Sequence, residues 1–234
     1  MLQSSIFSQL EGIVHGFGTR ADDMAKILPI YWRDRPVQHE RHGTRIAIVE
    51  RPNEDCGEAD GMFTERPGLL LSIATADCVP VLLARSDGNA VAALHAGWRG
   101  ALAGIVERFA ELLRERGDHP GNWLAALGPS AGSCCYQVSD EIVKQFHSRH
   151  GMPRELIAPR ARQLNLSGIV ETQLAQAGFG AVSTCEECTM CHREEGEAAF
   201  TFHSYRRDRE TRTPVVDVQW SAVAIRVVTP PPQE

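Results

Sequence analysis

The chain has 234 residues, 43% of them hydrophobic, with 24 basic and 30 acidic side chains and a formal net charge of −6. A chain of this length buries roughly 70% of its unfolded surface without cross-links, and its seven cysteines are an odd number, so composition speaks against a disulfide-stapled secreted scaffold. No stretch approaches the ~18 consecutive apolar residues of a membrane span, no basic flank with an apolar run marks a leader, and dispersed acidity disfavours nucleic acid as a partner.

A cytoplasmic protein with reduced thiols is therefore expected, folded as a single domain over residues 1–234. A Pro- and Arg-rich loop covers 31–41 and precedes a strand-like run, Thr44–Val49. Leu69–Ala74 and Val79–Ala84 are apolar runs of strand length, the second weakened by Pro80, which cannot donate to a ladder. Ser86–Asn89 reads as a turn and Ala90–His95 as the next strand. Gly97 and Gly100 flank Trp98–Arg99. An amphipathic helix follows, with Leu102, Ile105, Val106, Phe109, Leu112 and Leu113 on one face and Gly117 at its end.

Trp123–Leu127 is a further strand. Ser139 is an N-cap candidate for a helix carrying Ile142, Val143 and Phe146. Leu166–Ala177 reads as a helix stopped by Gly178, and Ala198–His203 and Ser221–Val228 as late strands. Residues 229–234, with three prolines, read as a frayed tail. Strands and helices mix without a regular βαβ rhythm, which points to an α+β fold.

Four groups of residues could carry chemistry. Thr75–Cys78 lies in a break between two apolar runs, and Asp77 within it is a candidate proton carrier. His95–Gly100 lies where a strand meets a helix, with Arg99 between two glycines that let backbone approach a ligand. Cys78 and His95 are ligand types that zinc prefers, and a catalytic zinc needs a third. His42, just before the strand-like Thr44–Val49, is a third candidate, with His39 close by as its alternative. Cys78 and His95 also fit a nucleophile and its base, as in a cysteine hydrolase or deamidase.

The remaining two groups are cysteine-rich and arginine-rich. Cys185, Cys188 and Cys191 with His192 have the spacing of a second, structural metal site. Cys134–Cys135 is an adjacent pair, read as packing, and Cys56 is placed on a surface loop. Arg206 and Arg207 follow Phe202–Tyr205 and could hold a phosphate, as could Arg20 and Arg99.

Several segments together resemble one family. They are His15–Arg20, Ala59–Thr64, Thr75–Pro80, His95–Gly100, Gly128–Ser130 with Cys134–Tyr136, and Ser204–Arg207. In this order they resemble the YfiH-like laccase-domain family, also called multicopper polyphenol oxidases, over about residues 13–228. The resemblance implies an α+β sandwich of central mixed β-sheets covered by helices. It implies a purine nucleoside phosphorylase with adenosine deaminase activity, taking adenosine, inosine, guanosine, 5′-methylthioadenosine and phosphate. It implies zinc, or copper, on His42, Cys78 and His95. A copper-dependent phenol oxidase is the further alternative, although the nine histidines include no H-x-H pair.

Overall fold

The computed structural model describes residues 1–213 and 216–227. Strand β1 (Ile13–Phe17) is followed by two short helices, α1 (Met24–Ile27) and α2 (Pro29–Trp32). Four short strands come next: β2 (Val37–His39), β3 (Ile46–Ile48), β4 (Asp55–Glu58) and β5 (Gly61–Thr64). Longer strands β6 (Leu70–Thr75), β7 (Val79–Arg85) and β8 (Val91–Ala96) lead into α3 (Trp98–Ala103) and α4 (Ile105–Glu115). A 3₁₀ turn precedes β9 (Trp123–Leu127), and then come α5 (Asp140–His150), α6 (Arg154–Ile157) and α7 (Leu166–Ala177). Strands β10 (Val182–Thr184) and β11 (Gln219–Ile225) complete the described elements.

The strands form a three-stranded sheet in the order β1-β11-β6, a six-stranded sheet in the order β10-β9-β7-β8-β5-β3, and a β2-β4 pair. The large sheet is mixed: β5, β7, β8 and β9 are antiparallel neighbours, while β3 and β10 add parallel edges. Side chains alternate across β7. Val79, Val81 and Leu83 join the core under α4, α5 and α7, while Leu82 and Ala84 join Leu71, Ile73 and Val223 between the two sheets. The outer face of the small sheet, with Leu70, Ala222 and Ala224, is covered by Met24, Leu28 and Trp32. Both faces of β7 are therefore buried, which is why it reads as a continuous apolar run. This is the α+β sandwich the sequence implied.

Helix α7 has the predicted bounds, with Gly178 at its C-cap in the left-handed region (φ +88°). Ser139 caps α5 by accepting from the Ile142 N–H at 3.4 Å. Pro80 is accommodated as the second residue of β7, where its carbonyl accepts from the Gly128 N–H at 2.9 Å.

Three expectations are corrected. The single helix after Gly100 is two helices, because Gly104 takes φ +94° and ends α3 before α4 begins. Ala198–His203 forms no strand; its backbone bends, and the Thr201 N–H bonds locally to the His192 carbonyl. Cys56 lies buried on β4 rather than on a surface loop. The expected tail, 229–234, lies outside the described residues, as does Val228. Among the described residues no helix is long and apolar enough to cross a membrane.

Phe109 anchors α4 to the large sheet. Its ring lies 5.4 Å from Trp123, edge-on, and is stacked 6.0 Å from Phe179. Phe109→Ala leaves a cavity that α4 and β9 cannot both close. The expected loss is about 3–5 kcal/mol, read from the denaturant midpoint of the purified variant.

Candidate metal centre

The site forms where β7 and β8 meet the loop before β3. The antiparallel register pairs Val79 with Ala96, so Cys78, immediately before β7, and His95, near the end of β8, become neighbours. Alternation along β8 puts His95 on the same face as Val91 and Ala93. His42 arrives from the loop before β3, its ring edge-on to that of His95 with centroids 4.8 Å apart. The ligand atoms of His42, Cys78 and His95 all lie within 4.8 Å of one another. His39, the alternative, is exposed on β2 opposite Glu58 and lies outside the group.

Asp60 organises this arrangement. It immediately precedes β5, and its carbonyl accepts from the His95 N–H at 2.7 Å. Its carboxylate lies 2.8 Å from His95 Nδ1 and accepts from the N–H groups of His42 and Gly43, each at 2.7 Å, and of Arg41 at 3.1 Å. Three successive N–H donors converging on one anion make a backbone nest. That nest holds His42 in the left-handed region, at φ +61°. Burial alone would raise Asp60, but the His95 bond and the N–H donors of Gly43 and Arg41 hold it at about 2. With Nδ1 engaged by a carboxylate, Nε2 of His95 is the ring atom left for a ligand role.

The surroundings favour positive charge. Burial opposes protonation of His95, yet the Cys78 thiolate and the Glu40 and Asp60 carboxylates raise it well above the usual histidine value. Burial likewise opposes the Cys78 thiolate, but the fields of His95 and His42, and hydrogen bonds to both, bring the thiol down to about 7. A cation among these three donors satisfies the same field. Two imidazoles and one thiolate are a zinc donor set with a fourth position left open, so the residues fit the metal that the family resemblance implied.

Two glycines make room for this packing. A Cβ on Gly97 would lie 2.6 Å from His42 Cδ2 and 2.9 Å from Cys78 Sγ. A Cβ on Gly100 would lie 2.9 Å from the Gly43 carbonyl. Beside the centre, Glu40, Arg41, Arg35 and Trp220 help line a cavity of about 380 Å³, toward the small end of the about 300–1,000 Å³ range of small-molecule sites.

The other predicted residues separate. Asp77, at φ +91°, accepts from Thr189 Oγ1 and from the Arg206 N–H, each at 2.7 Å, and its carbonyl accepts from the Ala131 N–H. Both carboxylate oxygens are engaged and the residue is buried, so it ties three loops together instead of facing solvent as a proton carrier. Arg206 is spent on the Gln137 carbonyl at 2.7 Å and on the Tyr136 ring. Arg207, held to the carbonyls of Thr189 and Phe202, is a strut. Arg20 lies near His203 and Asp208. Arg99 is exposed, over the Trp98 ring at 4.7 Å, with no ion pair among the described residues.

The second cysteine group differs from the expected one. Sγ atoms of Cys134, Cys135, Cys188 and Cys191 lie within 4.8 Å of one another. Cys185 and His192 stand outside. The Cys185 N–H extends the strand pairing by bonding to the Leu127 carbonyl, while His192 faces Glu194 at 3.8 Å and packs against Phe202.

A model of the multi-copper polyphenol oxidoreductase laccase family matches residues 22–219. The chain belongs to this family. Relatives named purine nucleoside phosphorylase include YfiH of Escherichia coli, 32% identical over 180 residues, 76% of this chain and 70% of that protein. YlmD of Geobacillus stearothermophilus is 34% identical over 187 residues, 73% of this chain and 66% of that protein. Such matches span about two thirds of the relatives' own length. The crystal structure of YlmD from Geobacillus stearothermophilus aligns over 93% of each chain with a TM-score of 0.79 and 26% identity.

Within this family member, sequence reasoning assigned no role to Asp60, Glu40 or Tyr136. Asp60 stands in the Ala59–Thr64 motif, directly before β5, which was the available signal. Glu40 is half-buried, 3.8 Å from His95 Nδ1, and accepts from the Ala74 N–H at 3.0 Å. Tyr136 is buried, and burial together with the nearby Cys78 and Asp77 pushes its phenol well above the usual value. Gly97→Ala is expected to abolish metal retention while leaving the circular dichroism spectrum unchanged. Asp60→Asn is expected to weaken metal affinity by about 10–100-fold, measured by competition with a chromogenic chelator.

Proposed function

We propose that the chain is a zinc-dependent purine nucleoside phosphorylase that also deaminates adenosine. The convergence of His42, Cys78 and His95 on one point, with Asp60 fixing the tautomer of His95, carries this reading. The names of its relatives support the substrate class.

His42, Cys78 and His95 would hold the metal, which supplies Lewis acidity when bound. Phosphorolysis requires phosphate to attack the ribose C1′ as the purine leaves. Arg99, exposed and without an ion pair among the described residues, has a guanidinium free to grip that anion, as does Arg20. The cavity beside Glu40 and Trp220 is where the nucleoside would be positioned and shielded from water. Positioning two reactants in this way supplies several kcal/mol of the barrier reduction. Asp77, tied to Thr189 and Arg206, keeps the Cys78 loop in place.

A second reading has one observation in its favour. Cys78 lies beside His95, whose Nδ1 is engaged by the Asp60 carboxylate, and the thiol is brought to about 7, as a cysteine hydrolase needs.

The test measures phosphate-dependent release of hypoxanthine from inosine, and ammonia from adenosine, with zinc content determined on the same samples. Cys78→Ala and His95→Ala are each expected to lose the metal and at least 10²-fold in turnover. Arg99→Ala is expected to raise the phosphate KM with little change in the nucleoside KM. Activity that survives complete chelation and vanishes on alkylation of Cys78 would establish the hydrolase reading instead.

A further inference from the structure

We propose that Cys134, Cys135, Cys188 and Cys191 form a second metal site, a structural zinc held by four thiolates. The reading is independent of the metal at His42, Cys78 and His95.

Four sulfurs from two separate segments meet at one point, all within 4.8 Å of one another. The Sγ atoms of Cys134 and Cys191 are 3.7 Å apart. A tetrahedron with metal–sulfur bonds of about 2.3 Å has an edge of about 3.8 Å, whereas a disulfide would bring the two sulfurs to about 2.05 Å. Cys188-x-x-Cys191 has the spacing of a zinc-binding pair, and Cys134–Cys135, in a turn, completes the set of four.

The backbone around the sulfurs is arranged for thiolates. The Gly132 N–H donates to Cys188 Sγ at 3.2 Å. Amide donors to ligand sulfur are the outer contacts that orient metal-bound cysteines. A Cβ at Gly132 would sit 3.2 Å from Cys188 Cβ and 3.3 Å from Cys134 Sγ, so a side chain there would crowd the cluster.

The fold also has a use for a clamp here. From Cys185 to Val218 the described residues form no helix and no strand. Long irregular segments gain most from being closed by a cross-link or metal. The ion would fasten the start of this segment to the loop after β9. Thr189, between two of the ligands, donates to Asp77 next to Cys78, so the clamp also braces the first centre. On loading, each thiol gives up its proton to solvent and four metal–sulfur bonds form.

The experiment counts zinc in the full chain, purified under reducing conditions. The wild type should carry about two equivalents. Cys134→Ser/Cys191→Ser, at two exposed positions, should carry one, and His42→Ala/Cys78→Ala should also carry one. Cobalt(II) loaded into the His42→Ala/Cys78→Ala variant should give the intense sulfur-to-metal charge-transfer bands of a tetrathiolate. That spectrum decides the matter even if the serine variant fails to fold. A wild-type count of one that vanishes in His42→Ala/Cys78→Ala, or a cobalt spectrum without thiolate bands, overturns the proposal. So does mapping of these four residues as disulfides in the purified chain. Failure of the first centre appears separately, as a count that His42→Ala/Cys78→Ala leaves unchanged.

Discussion

The candidate centre depends on the Asp60 carboxylate. Its two oxygens face His95 Nδ1 on one side and three successive backbone N–H groups of Arg41–Gly43 on the other. Holding a non-glycine residue such as His42 in the left-handed region costs of order 1–3 kcal/mol. Hydrogen bonds to a charged acceptor contribute about 1.5–3 kcal/mol each. The bonds therefore outweigh the strain, and the loop is fixed by the anion that orients His95. Without that anion the two histidines lose their common reference.

The strand pairing then fixes the distances. Asp60 stands next to His95 because Gly61 pairs with Leu94, and Cys78 stands next to Ala96 because Val79 does. Three segments distant in sequence thus meet with little freedom left. The missing side chain of Gly97 allows His42 and Cys78 to approach, and that of Gly100 lets the His42 loop rest on α3. The Cys78 loop is secured through Asp77, whose partners lie 112 and 129 residues further along the chain.

Much of this was legible in the sequence, for identifiable reasons. The long strands β6 to β9 read clearly because nearly all their residues are buried and their sequences are mostly apolar. Helix α7 read clearly because Gly178 stops it, and α5 because Ser139 caps it. The short strands β2, β4 and β10 were illegible, since three or four half-exposed residues carry no period. Gly104 leaves no sequence signal because helical spacing continues through it, and only its backbone angle breaks the helix. Cys78 and His95 stood out through their motifs, but Asp60 acts through distance rather than spacing. Spacing alone groups Cys188 and Cys191 with their sequence neighbours Cys185 and His192. The Ser130–Cys188 bridge instead brings in Cys134 and Cys135 from the loop after β9.

The geometry of His42 weighs between the two readings of the centre. A cysteine nucleophile needs only a base and a group that orients it, and Cys78, His95 and Asp60 already supply those. Three of the hydrogen bonds accepted by Asp60 would then serve no chemical purpose, because they hold the His42 loop. The strained φ at His42, the bare Cα of Gly97 beneath its ring, and the edge-on approach to His95 all serve to deliver a third donor. Such a cost is rational when three donors must close on one ion. The lowered thiol of Cys78 fits this account equally, since a metal ligand, like a nucleophile, must shed its proton. The features that the pair alone leaves unexplained are those that a metal requires.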